Sequence, residues 1–171
     1  MGLSLAMGAA VGRRTVHVVQ GQIGVTGDVR IVFTAIIGSC VVVCLFDPVA
    51  RVGGMAHFLF PGGEAKRLDE TRFGPQAIAG LMSGIVAQGG DVARFRACLF
   101  GGAKVHDGRR DMGKRNADFA QRYLAEQGVL VVQSGLGGSL MRRIRFSPTD
   151  GHCDEVFLSH GQGEEKGDVL P

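Results

Sequence analysis

The residues with chemistry to offer are a cysteine, a histidine and a threonine, each set among apolar neighbours. Phe33–Pro48 reads FTAIIGSCVVVCLFDP. Its apolar run breaks at Gly38-Ser39-Cys40 and resumes as Val41–Phe46. A glycine here permits a bend and leaves room beside a thiol. His57 lies inside a second apolar run, GGMAHFLF (Gly53–Phe60), and Thr34 lies in the first. A cysteine hydrolase needs such a set. The thiolate is the nucleophile, an imidazole moves the proton, and a third group fixes the ring. Local sequence alone favours a plainer reading. Free cysteine is a common core filler, and a strand histidine is more often a satisfied core residue. Even so, a buried His57 needs a hydrogen-bond partner, since leaving it unpaired would cost about 1–3 kcal/mol.

Metal binding by Cys40, Cys44 and His57 is rejected on reach. On one strand the two thiols share a face but stand about 13 Å apart, at ~3.3 Å per residue. Cys44, Cys98 and Cys153 read as structural, not as redox sensors. Four cysteines with no CxxC pair make no disulfide framework. His17 and His106 read as structural or solvated.

The elements that must position these residues follow from period and punctuation. Strands are expected at Thr15–Gln20, Val29–Phe33, Cys40–Phe46 and Gly53–Phe60, then at Phe95–Gly102, Val129–Ser134, Leu140–Phe146 and Glu155–Ser159. GQIGVTGD (Gly21–Asp28) reads as turns. Ile78, Leu81, Met82, Ile85 and Val86 follow helical spacing, with Pro75 at the start and Gly89 at the stop. A second amphipathic helix is expected over Asn116–Gly128. This order predicts a single α+β domain over 15–159, with a flexible arm at 1–14 and a polar tail at 160–171. The mostly apolar strands predict burial on both faces.

The 171 residues carry a net charge of +3 and 6% aromatics. There is no basic stripe with interleaved stacking rings, so nucleic-acid binding is not expected. No apolar run approaches the length of a membrane span, so no membrane insertion is expected. The N-terminus lacks the pattern of a secretory signal, although MGLSLA fits the short N-myristoylation pattern. A cytoplasmic location is the expectation.

Several blocks, in order, resemble the chemoreceptor glutamine deamidases called CheD. They are Thr34, Gly38-Ser39-Cys40-Val41, Asp47, Gly53-Gly54-Met55-Ala56-His57-Phe58 with Pro61, and RFGPQAIAGLMSGI. Phe100–Ala103, then Gly113, Arg115 and Asn116, then LGGSLMRRIRFSPTDG continue the match over about residues 15–152. The resemblance implies a layered α/β/β sandwich like the cytotoxic-necrotizing-factor type of cysteine hydrolase. It also implies a Cys-His-Thr triad, with Cys40 the nucleophile, His57 the base and Thr34 the orienting group. Backbone N–H groups near Ser39 and Cys40 are expected as oxyanion donors, with Gly38 and Ser39 as backbone support. Phe73, Gly101, Gly102, Arg142 and Arg143 are expected at substrate or partner contacts, with Arg142, Arg143 and Arg145 reading equally as a solvated face. Phe73 stands where the family often has tyrosine. The implied substrate is glutamine in the cytoplasmic helices of methyl-accepting chemoreceptors, and no cofactor is implied. The alternative is a non-catalytic module that binds and stimulates a CheC-type phosphatase.

Overall fold

The computed structural model describes residues 12–62, 70–159 and 168–169. Most of the expected arm at 1–14 and tail at 160–171 lies outside them. The ten strands among these residues form two five-stranded sheets. The first sheet holds β1 (Arg14–His17), β3 (Ile31–Ile37), β8 (Arg142–Ser147), β9 (His152–Phe157) and β10 (Asp168–Val169), in the order β10-β1-β3-β8-β9. The second holds β2 (Ile23–Thr26), β4 (Val41–Asp47), β5 (Val52–Phe58), β6 (Arg96–Gly101) and β7 (Leu130–Leu136), in the order β2-β5-β4-β6-β7.

β4 and β5 are buried at every position because both faces of the second sheet are covered. One face turns Val41, Val43, Leu45, Ala56 and Phe58 against the helices α1 (Gly74–Ala87) and α2 (Met112–Glu126). The other turns Val42, Cys44 and Met55 toward Val16, Phe33, Ala35, Ile144 and Phe146 of the first sheet. The layers therefore run helices, sheet, sheet, which is the α/β/β sandwich expected from the sequence.

Several boundaries differ from expectation, among them β3, β9 and β10, and two differences bear on the site. The segment read as turns contains β2, whose ladder to β5 runs from Ile23↔Ala56 to Thr26↔Gly53. Gly24 marks a close approach there, since a Cβ would strike the Phe33 ring. Helix α2 starts before Asn116 because Asp111 caps it, accepting from Lys114 N at 2.9 Å. That places Asn116 inside the helix, fully buried.

Asp47 ends β4 and organises the turn into β5. Its Oδ1 accepts from the amides of Val49 (2.9 Å) and Ala50 (3.0 Å), and its Oδ2 from Asp91 N (2.9 Å) and Arg94 (2.7 Å). Burial alone would raise its carboxyl pKa. The Arg94 guanidinium and the backbone amides outweigh that and hold it well below the usual carboxylate range. A lowered folded pKa contributes stability above the unfolded value, and that stability is lost as pH falls. Asp47→Asn should cost about 3 kcal/mol in urea unfolding at pH 7, the low end for a broken buried pair because Arg94 is partly solvated. The gap between wild type and variant should shrink as pH falls below about 4.

Candidate active site

Two crossings carry the chain from the first sheet to the second at one end of the sandwich. β1 and β3 run parallel, so Val18–Gln22 and Gly38–Cys40 leave that sheet at the same end. β5 antiparallels β4 and brings His57 back to that end. In the ladder Val42 faces His57, and the next pair is Val41 with Phe58. Cys40, Val42 and Cys44 alternate onto one strand face, as do Met55 and His57. Cys40 and His57 are therefore diagonal neighbours on the face turned toward the first sheet, at its rim.

The loop bearing Cys40 is held at three successive carbonyls. Gly38 O accepts from Ala103 N (2.9 Å), Ser39 O from Asn116 Nδ2 (2.9 Å) and Cys40 O from Gly102 N (2.8 Å). Asn116 donates its second N–H to Leu59 O at 2.9 Å, tying the loop to the end of β5. Gly101, with φ of 115°, lies so close that a Cβ would overlap Cys40 O. Gly38 itself is not left-handed. Its Cβ-free position accommodates Val105, whose Cγ1 would lie 3.1 Å from an added Cβ.

His57 is 2% exposed, and the turn Val18–Gln22 holds it. Gly21 N donates to His57 O (2.7 Å), and His57 N donates to Gln22 O (3.2 Å). Its ring Nδ1 lies 3.0 Å from Val18 O. A carbonyl can only accept, so Nδ1 carries the proton and the neutral ring keeps its lone pair on Nε2. Nε2 is buried and has no partner among the described residues. The Cys40 Sγ is 3.5 Å from Gln20 Nε2, and it shares no hydrogen bond with the imidazole, whose Nε2 is unpartnered. Such contacts often tighten only when substrate binds.

Thr34 enters differently from the role implied for its side chain. Phe33, Ala35 and Ile37 face the inter-sheet core, so Thr34 faces the other way, and its hydroxyl donates to Ile144 O at 2.7 Å. The oxygen that orients His57 belongs to Val18. Thr34 reaches the site through its backbone, where its carbonyl accepts from Val18 N at 2.8 Å. Neither Val18 nor Gln20 stands out in the sequence, because a carbonyl has no sequence signature and an exposed glutamine is unremarkable.

Other expected contacts move to structural roles. Arg142 is 1% exposed and cannot form a contact surface. It donates to Gly135 O (2.6 Å) and Gly137 O, pairs with Glu155 (2.8 Å) and lies under the Phe157 ring. Arg142 alternates inward with Ile144 and Phe146, leaving Arg143 and Arg145 half-buried on the outer face. Gly101 and Gly102 lie against the Cys40 backbone, and Gly102 also lines a cavity of about 330 Å³. Phe73 is half-buried against Phe60, with ring centres 5.3 Å apart.

Cys44, Cys98 and Cys153 meet in the inter-sheet core. Cys44 and Cys98 are ladder partners, Cys153 packs in the same cluster, and all three are free thiols. Burial raises the Cys44 pKa, Cys153 and burial raise that of Cys98, and Cys44 raises that of Cys153 against a lowering contact from Cys98. Among the described residues no group of three or more His, Cys, Asp or Glu is arranged to hold a metal ion. None of the described helices is long and apolar enough to cross a membrane.

Comparison with known proteins adds a second line. The family model described as CheD chemotactic sensory transduction matches residues 60–154. A protein of Cereibacter sphaeroides named probable chemoreceptor glutamine deamidase CheD is 40% identical over 146 residues, covering 85% of this chain and 73% of its own. A Caulobacter vibrioides protein of the same name is 43% identical, covering 84% of this chain and 78% of its own. Among solved structures, Neisseria meningitidis protein NMB0706 aligns at 14% identity with a TM-score of 0.44, over 76% of this chain and 62% of that one.

The site's electrostatics fix its resting state. Burial pushes the Cys40 thiol up, opposed in part by its own backbone N–H and the Gln20 amide. Burial pushes His57 down, opposed in part by the Val18 carbonyl. Both shifts favour a neutral thiol beside a neutral imidazole at pH 7. Alkylation of Cys40 by iodoacetamide should therefore rise with pH to a midpoint above that of an ordinary thiol, about 8.5. A reactive plateau at acidic pH, the mark of a thiolate–imidazolium pair, would contradict this resting state.

Proposed function

The chain belongs to the CheD family, and from that premise we propose that it deamidates chemoreceptor glutamines, with Cys40 as nucleophile and His57 as general base. The observation that carries the assignment is the state of His57. Nδ1 is fixed on Val18 O, and the bare Nε2 sits on the same rim as Cys40.

His57 Nε2 takes the Cys40 proton as the sulfur attacks the carboxamide carbon, and the carbonyl electron pair moves onto oxygen. Collapse of that intermediate breaks the C–N bond. Ammonia leaves with the proton returned by His57, and a thioester remains. Water, deprotonated by the same imidazole, hydrolyses the thioester to glutamate and frees the thiol. Each turnover adds one negative charge to the receptor surface. The same attack on a glutamate methyl ester would release methanol through the same thioester.

Thr34 supports this site through its carbonyl, which holds the Val18 peptide that orients His57. A second reading concerns binding. Leu130, Val132, Val156 and Phe157 are exposed on β7 and β9, the outer strands of the two sheets. Such apolar strand edges favour a protein contact, and a CheC-type phosphatase is the partner the family resemblance implies.

Peptide mass spectrometry of a chemoreceptor cytoplasmic fragment incubated with this protein should show Gln-to-Glu conversion. Cys40→Ala and His57→Ala should each lower the rate by about 10³-fold or more. Equal conversion by wild type and Cys40→Ala would reject the assignment. Thr34→Val keeps the backbone contact and loses only the Ile144 bond. Thermal unfolding should show a loss of about 1 kcal/mol, and turnover should fall by less than about tenfold. A loss as large as that of Cys40→Ala would make the hydroxyl itself part of the machinery.

A further inference from the structure

We infer that Gln20 is a catalytic residue whose side-chain amide, together with the Cys40 backbone N–H, forms the oxyanion hole of this site. The inference rests on Cys40 being the nucleophile. It keeps the Cys40 N–H from the expected backbone donors and adds the Gln20 side chain in place of Ser39.

Gln20 belongs to the turn that orients His57. It follows Val18, whose carbonyl holds Nδ1, and precedes Gly21 and Gln22, which bond both backbone groups of His57. Gly21 adopts a φ of 81°, which lets the chain reverse here without strain. The turn thus fixes the backbone of Gln20 relative to the imidazole. The Gln20 side chain is exposed overall, yet its Nε2 reaches 3.5 Å from Cys40 Sγ.

That position suits an oxyanion donor. When Sγ bonds to the carboxamide carbon, the carbonyl pair becomes an oxyanion one carbon away from the sulfur. A donor already against the sulfur then lies beside the new charge. Cys40 contributes a second donor, its own backbone N–H, carried on the same residue as the attacking sulfur. The carbonyls of Gly38, Ser39 and Cys40 are all committed to Ala103, Asn116 and Gly102, so this loop is rigid before substrate arrives, as a preorganised hole requires. Chemistry also decides which end of the Gln20 amide faces inward. Once the proton has gone to His57, a carbonyl oxygen facing the sulfur would repel it, whereas the NH₂ group is attracted. As the intermediate collapses, the pair on oxygen re-forms the carbonyl, ammonia departs with the His57 proton, and Gln20 releases the oxygen unchanged.

Two reactions of the same thiol separate this role from a structural one. Amide hydrolysis passes through an oxyanion, whereas alkylation by iodoacetamide displaces iodide at saturated carbon and forms none. Gln20→Ala and Gln20→Leu should lower kcat on a receptor fragment by about 10²–10³-fold, with KM changed little. The rate of Cys40 alkylation should stay within about threefold, since no oxyanion is involved. Gln20→Glu keeps the shape but opposes a developing negative charge, so it should lose at least as much kcat. Wild-type turnover in Gln20→Ala and Gln20→Leu would overturn the inference. So would a parallel fall of turnover and alkylation, because that would mean the thiol had been displaced. Cys40-dependent turnover in wild type, checked against Cys40→Ala, keeps these outcomes separate from failure of the deamidase reading. Its absence would remove both.

Discussion

The geometry of the site depends on one turn. Val18–Gln22 binds His57 three times, through Gly21 N, Gln22 O and Val18 O. The two backbone bonds extend the β2–β5 ladder by one residue and set where the histidine sits. The third sets which nitrogen is free. A neutral imidazole in an apolar layer must satisfy its N–H. Satisfying Nδ1 on a carbonyl leaves Nε2 with its lone pair free, in a place where burial also keeps it unprotonated. Position, tautomer and charge state thus follow from the same short segment. Thr34 anchors the segment in turn by accepting from Val18 N.

The placement of Cys40 depends on the opposite layer. Helix α2 packs on the second sheet, and its Asn116 reaches through to two carbonyls, one beside Cys40 and one at the end of β5. The pair of carbonyl acceptors fixes the side-chain NH₂ between them. Gly101 and Gly102 complete the support, because only residues without Cβ fit against Cys40 O and Gly113 O. The thiol is therefore placed by backbone contacts from β6 and α2, while the imidazole is placed by the turn after β1. Hydrophobic packing of the two sheets joins these halves.

Much of this was legible in the sequence. The fully apolar runs of β4 and β5 announced a sheet covered on both faces, and helical spacing from Ile78 to Val86 marked α1. Cys40 and His57 were legible as candidates because a polar residue in an apolar strand needs a reason. Other features were hidden, each for a physical cause. The strand β2 was obscured by its glycines, which serve close packing against Phe33. Arg142 looked like surface charge because alternation with Arg143 and Arg145 suggests a wet face. Its burial is possible only because Gly135, Gly137 and Glu155 converge on its guanidinium. The Val18 carbonyl and the Gln20 amide depend on where a turn crosses between sheets, and local residue types do not encode that. Asn116 was visible only as part of a helix start, since its partners lie in β-strand segments far away in the chain.

The order in which these pieces appear along the chain has a consequence for synthesis. Residues up to Phe58 contain the thiol, the imidazole and the turn that orients it. The clamp on Cys40 comes later, from Gly102, Ala103 and Asn116. A nascent chain emerging from the ribosome carries its reactive groups well before the segments that align them. Alignment of the thiol with the imidazole is thereby tied to completion of the sandwich.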